Sequence, residues 1–320
     1  MTMWRGLDAV VADVGSTPRR RSVVTVGVFD GVHRGHQVIV SQVVRRARAL
    51  QVPAVAITFD PHPLALLSPE LAPALLTSID RRAELLQEVG IDHVVVLPFT
   101  HELSRFSPEQ FVEEVIINGL HASEVVVGSD FRFGHQAAGD VALLTDLGEK
   151  FDFGVEGVGL VGDGRVRWSS TAVRKALLAG DVSAAAAILG RPHRVDGEVV
   201  TGDQRGGDLG FHTANVQAPV GMATPSDGVY AGRLSILDDE GATGEGFVAA
   251  ISVGANTTFA GTERRIEAHC LDQSDLNLYG KNVGVEFVQR LRDMVTFDSA
   301  DALIAQVAQD IEQTRTAVSQ

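Results

Sequence analysis

Two histidines, His33 and His36, lie in the segment GVFDGVHRGH at 27–36. A β-branched run precedes this segment and a helical pattern follows it. In an open α/β sheet, ligands bind at the carboxyl ends of strands, where such a turn would sit. Gly31 and Gly35 permit a close backbone approach. Free helix N–H groups, the helix dipole and two imidazoles would then converge on a phosphate. The segment is neither GxxxxGK[ST] nor GxGxxG. Two loop histidines can also serve as a cap or face solvent; their place at a strand-to-helix turn favours a ligand role. A second pole is WSSTAVRKAL at 168–177. Ser169, Ser170 and Thr171 can cap a helix, and Arg174 falls one turn beyond Thr171 on the same face. Hydroxyls, helix N–H groups and an arginine again describe an oxyanion site. Two such sites point to a polyphosphate with one phosphorus under attack. No serine, cysteine or lysine stands out as an activated nucleophile, so direct in-line displacement is the simpler chemistry.

The second half carries a different set. GEVVTGDQRGGDLGFHTANV at 197–216 is rich in glycine and short polar side chains that could lie over phosphates. Thr213 and Asn215 are two apart, so in an extended stretch they face one side. Both can give neutral oxygen ligands to Mg²⁺, or can be ordinary turn residues. Glu267 and His269 flank Ala268 and share a strand face. Either could act as a base, and either could be a solvated strand residue.

The elements that must position these groups follow from periodicity. Strands are expected at 22–29, 54–59, 92–97, 124–127 and within 151–158, and helices at 37–50, 79–88, 108–118, 171–178 and 182–189. This alternation means a mostly parallel sheet with helices on both faces. After Leu189, Gly190-Arg191-Pro192 breaks the pattern. Short apolar runs at 195–200, 228–237, 246–253, 265–270 and 282–289, separated by glycine-rich turns, favour a compact antiparallel sheet or small barrel. A terminal helix is expected around Leu303, Val307 and Ile311, with Ser299 as its N-cap. The domains are accordingly 1–189 and 190–320.

Composition narrows the function classes. The formal charge is −14, which argues against a nucleic-acid-coating protein. Aromatic residues are 6%, too few for an extended base-stacking surface. The single cysteine, Cys270, excludes an intramolecular disulfide and a cysteine-based zinc cluster. No apolar stretch is long enough to span a membrane, and the first residues do not read as a secretory signal. The expectation is a cytoplasmic protein acting on small molecules, with no nucleic-acid or membrane partner. The sequence leaves homo-oligomerisation open.

Nearly the full length resembles the prokaryotic bifunctional riboflavin kinase/FAD synthetase family. The resemblance rests on GVFDGVHRGHQ, TFDPHP at 58–63, VVGSDFRFG at 126–134 and SSTAVR at 169–174 in the first half. In the second it rests on GFHTAN at 210–215, YAGR at 230–233, SVGANTTFAG at 252–261 and DLNLYGK at 275–281. It implies a Rossmann-like α/β nucleotidyltransferase domain with a parallel sheet. A six-stranded antiparallel β-barrel riboflavin kinase domain with a terminal helix would follow. The kinase would phosphorylate riboflavin to FMN, and the first domain would adenylylate FMN with ATP, giving FAD and pyrophosphate. Mg²⁺ is the implied cofactor. Within the resemblance, His33 and His36 match nucleotide-phosphate ligands, and Ser170, Thr171 and Arg174 match a second triphosphate motif. Gly27, Phe29, Asp30, Gly31, Asp60, His62 and Asp130 fall in the loops that shape the flavin and adenosine sites, Asp130 having an Asx turn as its alternative. Thr213 and Asn215 match metal and phosphate ligands, Gly210 opens their motif, and Glu267 matches the general base. Four positions depart from the pattern: His212 stands for Pro, Gly207 for Arg, Arg233 for Trp and Ala260 for Asp. They bear on kinase affinity, and they support the rival reading of an FMN adenylyltransferase with a binding or regulatory barrel.

Overall fold

The structure is a computed structural model and describes residues 2–14, 21–164, 166–201, 213–238, 243–258, 261–273 and 276–319. The chain divides into two compact units, one of residues 1–73 and 79–168, the other of residues 74–78 and 169–320.

The first unit is built on a six-stranded sheet of β1 (Thr2–Arg5), β2 (Ser22–Val26), β3 (Ala54–Asp60), β4 (His93–Pro98), β5 (Ala122–Gly128) and β6 (Gly154–Val158). Spatial order is β1-β4-β3-β2-β5-β6, and every pairing is parallel. The helices are α1 (Leu7–Val14), α2 (Arg34–Leu50), α3 (Pro63–Leu67), α4 (Ile79–Glu88), α5 (Pro108–Phe111) and α6 (Val141–Phe151). A π-helical stretch, Val112–Gly119, continues α5. Strand side chains alternate between two cores, which is why the runs are apolar throughout. Val24, Val26, Ile57, Val95 and Val127 pack with Phe111, Val115 and Leu144. Val23, Ala56, Val94, Val96 and Val126 pack with Val40, Val43 and Leu86. Helices therefore cover both faces, as the alternation requires. The chain leaves β2 toward β3 on one side while β5 lies on the other. The loop after β2 thus sits at the topological switch point, where an open sheet offers its crevice.

The first β-branched run ends as a strand at Val26 rather than at residue 29, because Phe29 takes a left-handed backbone with φ 51°. The helix beyond it starts earlier than its apolar spacing implies, at Arg34, because its first turn is polar and capped by His33. Neither β1 nor α1 was expected; β1 is a four-residue edge strand too short to show a period.

The second unit contains α7 (Ser170–Leu178), α8 (Val182–Leu189) and a closed barrel. Its strands are β7 (His193–Val200), β8 (Ala214–Gln217), β9 (Gly228–Leu237), β10 (Thr243–Thr258), β11 (Gly261–Cys270) and β12 (Asn282–Arg292). They close in the order β10-β11-β8-β7-β12-β9, all antiparallel, around Val195, Val216, Leu234, Ile251, Ile266, Val285 and Phe287. The terminal helix α9 (Ala300–Val318) is capped by Ser299, whose hydroxyl accepts from Ala302 N–H at 3.2 Å. It is fastened to β12 where Arg292 donates to buried Asp310 at 2.8 Å. Five of the six barrel strands follow from the apolar runs; β8 is four residues and has too few alternations to register.

Candidate active sites

In the first unit the site begins with the β2–α2 loop. His33 is the N-cap of α2, and its Nδ1 accepts the His36 N–H at 3.3 Å. The His36 ring stacks on His33 at 3.6 Å between centroids and meets Phe29 edge-on at 5.2 Å. Its Nδ1 is buried with no hydrogen-bond partner among the described residues. A protonated His36 would leave an N–H donor unsatisfied there, so the neutral Nε2–H tautomer is favoured. Burial first, then His33 and Arg82, push the His36 pKa well below the usual 6.5. Imidazole N–H groups at a helix N-terminus are suited to donate to phosphate oxygens.

Glycine is required within this turn. A Cβ on Gly35 would lie 2.9 Å from His33 Cε1 and 3.1 Å from the Trp168 carbonyl oxygen. Gly31 has φ 83°, in the left-handed region. The Trp168 ring also lies under the Arg34 guanidinium at 5.6 Å.

The other expected residues of this unit lie at the same carboxyl edge. Asp60 ends β3 and is exposed. His62 caps α3, its Nδ1 accepting from Leu64 N–H at 3.1 Å. Asp130 follows β5 and pairs with Arg167 at the surface. Gly27 directly follows β2, whereas Phe29, Asp30 and Gly31 are buried. The Asp30 carboxylate faces Arg82. Sequence reasoning missed Arg82; its one visible signal is an arginine on the apolar face of α4, beside Leu85 and Leu86.

In the second unit, Ser169 caps α7, its hydroxyl accepting from Ala172 N–H at 3.2 Å. Ser170 and Thr171 form the first turn, and Thr171 is exposed. Arg174, half-buried, donates through Nε to the Ala74 carbonyl at 2.6 Å, which fixes the direction of its stem.

The barrel brings the remaining residues together by register. Glu267 on β11 stands directly opposite Asn215 on β8 and opposite Ser252 on β10. Directly opposite side chains share a face about 5 Å apart. Arg265, Glu267 and His269 are half-buried and alternate with buried Ile266, Ala268 and Cys270, so the shared face is as expected. Thr213, exposed, immediately precedes β8. Asn215 Oδ1 is buried without a hydrogen-bond partner among the described residues. An orphan amide oxygen beside a hydroxyl and a carboxylate is a hard oxygen donor set, and it fits Mg²⁺. The described residues contain no cluster of three or more acidic, histidine or cysteine ligands. The fit is therefore to an ion that takes most of its ligands from phosphate and water. Gly210, Gly207, His212 and Ala260 lie outside the described residues.

Fold and site chemistry define a two-domain, nucleotide-dependent transferase. Residues 16–172 match the FAD synthetase family and residues 189–318 the riboflavin kinase family. The bifunctional riboflavin kinase/FMN adenylyltransferase of Escherichia coli (strain K12) is 33% identical over 300 residues, 94% of each chain. That of Pseudomonas fluorescens is 36% identical over 297 residues, 92% of this chain and 93% of its own. A solved structure described as a macrolide-efflux protein from Streptococcus pneumoniae superposes with a TM-score of 0.83 at 33% identity, covering 93% of this chain and 95% of that one. Among the described residues no helix is long and apolar enough to cross a membrane. The chain belongs to the bifunctional riboflavin kinase/FMN adenylyltransferase family.

Proposed function

We propose that this chain makes FAD in two ATP-dependent steps: riboflavin is phosphorylated to FMN, and FMN is adenylylated to FAD with release of pyrophosphate. The observation that carries the reading is the presence in one chain of both family matches, over 16–172 and 189–318. The working division of labour is adenylylation by residues 1–189 and phosphorylation by 190–320, in the cytoplasm, where ATP is supplied.

For the kinase step, Glu267 orients the terminal ribityl hydroxyl and accepts its proton as the oxygen attacks the γ-phosphorus of ATP. ADP leaves with the electron pair of the broken P–O bond. Thr213 and Asn215 would hold Mg²⁺ and the nucleotide phosphates; the register of Asn215 opposite Glu267 supports the pairing of these roles. When bound, Mg²⁺ neutralises charge on the phosphate oxygens. Gly210 belongs to the same phosphate motif.

For adenylylation, an FMN phosphate oxygen attacks the α-phosphorus of ATP and pyrophosphate departs. His33 and His36 donate to the phosphate oxygens as charge builds, and Ser170, Thr171 and Arg174 bind the triphosphate and its leaving group. Gly27, Phe29, Asp30 and Gly31 shape the nucleotide loop, while Asp60, His62 and Asp130 border the flavin and adenosine sites at strand ends.

Chromatography of reactions containing riboflavin or FMN with ATP and Mg²⁺ tests both activities. FMN from the first and FAD from the second are expected. FAD without any conversion of riboflavin would reduce the protein to an FMN adenylyltransferase with a binding barrel.

A further inference from the structure

One loop and one strand end of the first unit converge on a single buried guanidinium. Arg82 on α4 and Asp30 in the β2–α2 loop have side chains only 3% and 2% exposed. Arg82 Nη2 donates to Asp30 Oδ1 at 3.4 Å. Its Nη1 donates to Thr58 Oγ1 at 3.2 Å and to the Phe59 carbonyl at 3.5 Å, both at the end of β3. Thr58 Oγ1 in turn donates to the Val28 carbonyl at 2.9 Å, back in the β2–α2 loop. The loop so held carries His33, and β3 leads directly into Asp60 and His62.

Stability alone is a poor explanation for this pair. Burying two charges costs desolvation that a hydrophobic pair of similar volume avoids. What the guanidinium adds is a planar fork that addresses several acceptors in fixed directions. The loop needs such direction. Phe29 and Val32 both adopt positive φ, at 51° and 38°, a backbone that side chains other than glycine disfavour and that surrounding contacts must hold.

We propose that Arg82 is a positioning residue for adenylylation, clamping through Asp30 and Thr58 the loop that presents His33 and His36 to the strand end that presents Asp60 and His62. Asp30 is then part of the clamp rather than a direct ligand. The proposal rests on the adenylyltransferase reading above.

The test uses the full chain. The double variant Arg82→Met with Asp30→Asn removes both charges and leaves neither buried alone. It should melt above the single variant Arg82→Met, which takes the guanidinium away from a buried carboxylate. FAD formation should nevertheless stay at least about tenfold below the parent in kcat, because misplacement of reacting groups by an ångström is costly. KM for ATP should change less than kcat, and FMN formation from riboflavin should hold at the parent rate. A purely structural role predicts instead that activity returns with stability. A folded double variant within twofold of the parent kcat therefore overturns the clamp. Where the double variant does not fold, Thr58→Val decides, since it keeps the shape and removes only the shared hydroxyl. A several-fold loss of FAD formation supports the clamp and a parent rate overturns it. Failure of the parent itself to make FAD would sink the adenylyltransferase reading, which separates the two ideas.

Discussion

Replacing Glu267 by glutamine removes a base while leaving almost everything else in place. The side chain is 37% exposed, and its only ion-pair contact among the described residues is Arg265 Nη1 at 3.7 Å. An exposed pair of that kind contributes about 0–1 kcal/mol, so the variant should melt close to the parent. Glutamine has nearly the same shape and still accepts a hydrogen bond from the ribityl hydroxyl. It cannot take the proton, and loss of a general base typically costs about 10²- to 10⁴-fold in rate. The loss should appear in kcat for riboflavin phosphorylation with ATP and Mg²⁺ saturating. FMN adenylylation by the same preparation should be unchanged, which controls for concentration and handling. His269 is the competing base, because it shares the β11 face. On β10 Glu267 stands opposite Ser252 and His269 opposite Ala250, but of the two only Glu267 is also paired across β8, with Asn215. His269→Gln should therefore keep most of its kinase activity. Near-parent kcat in Glu267→Gln together with a dead His269→Gln would refute the assignment.

Other outcomes follow from the same geometry. Arg174→Ala should lower FAD formation on the order of a hundredfold and spare FMN formation, as expected on removing one donor to a developing charge; an adenylylation rate within twofold of the parent refutes the role. The His36 pKa is depressed chiefly by burial, so the unfolded chain takes up a proton below pH 6.5 that the folded chain resists. Stability should be intact above that pH and fall as the pH drops toward the folded pKa. His36→Gln should flatten the dependence of melting temperature on pH in this window, and an unchanged slope counts against the buried neutral ring. A fragment of residues 169–320 should melt well above one of residues 195–320. Helices α7 and α8 belong to the barrel's unit, bury Val173, Leu177, Val182 and Leu189, and join it where Ser226 N–H donates to the Leu177 carbonyl at 2.9 Å. Equal melting of the two fragments would show that these helices add nothing to the barrel.

How far the sequence could be read depended on whether a feature was local. Strands β2 to β5 are buried on both faces and so appear as β-branched runs, and the His33–His36 turn is marked by the strand before it and the helix after it. The closure of the barrel was accessible only as short apolar runs, and its sixth strand entered through family resemblance. Pairing is not local. Nothing in the sequence alone states that Glu267 faces Asn215 rather than another strand, because a one-residue slip would turn it to the other side. The unit boundary shows the same limit. Residues 170–189 read as the last helices of an alternating α/β pattern, while their contacts lie with the barrel's unit.

Arg82 is the sharpest case of a site element that the chain conceals. On a helix of alternating charge, arginine ordinarily reads as a solvated residue. Its partner Asp30 lies 52 positions earlier, inside a motif whose polar residues invite a ligand role. Only the fold brings the end of β3 and the β2–α2 loop close enough for one fork to reach both. A motif can therefore name the groups that touch phosphate while leaving unnamed the group that sets their geometry. The two kinds of residue should also separate in experiment. Loss of a phosphate ligand should weaken the reaction through the interaction removed, at a stability close to the parent. Loss of the clamp should weaken it through alignment, and the defect should persist when stability is restored by neutralising both buried charges.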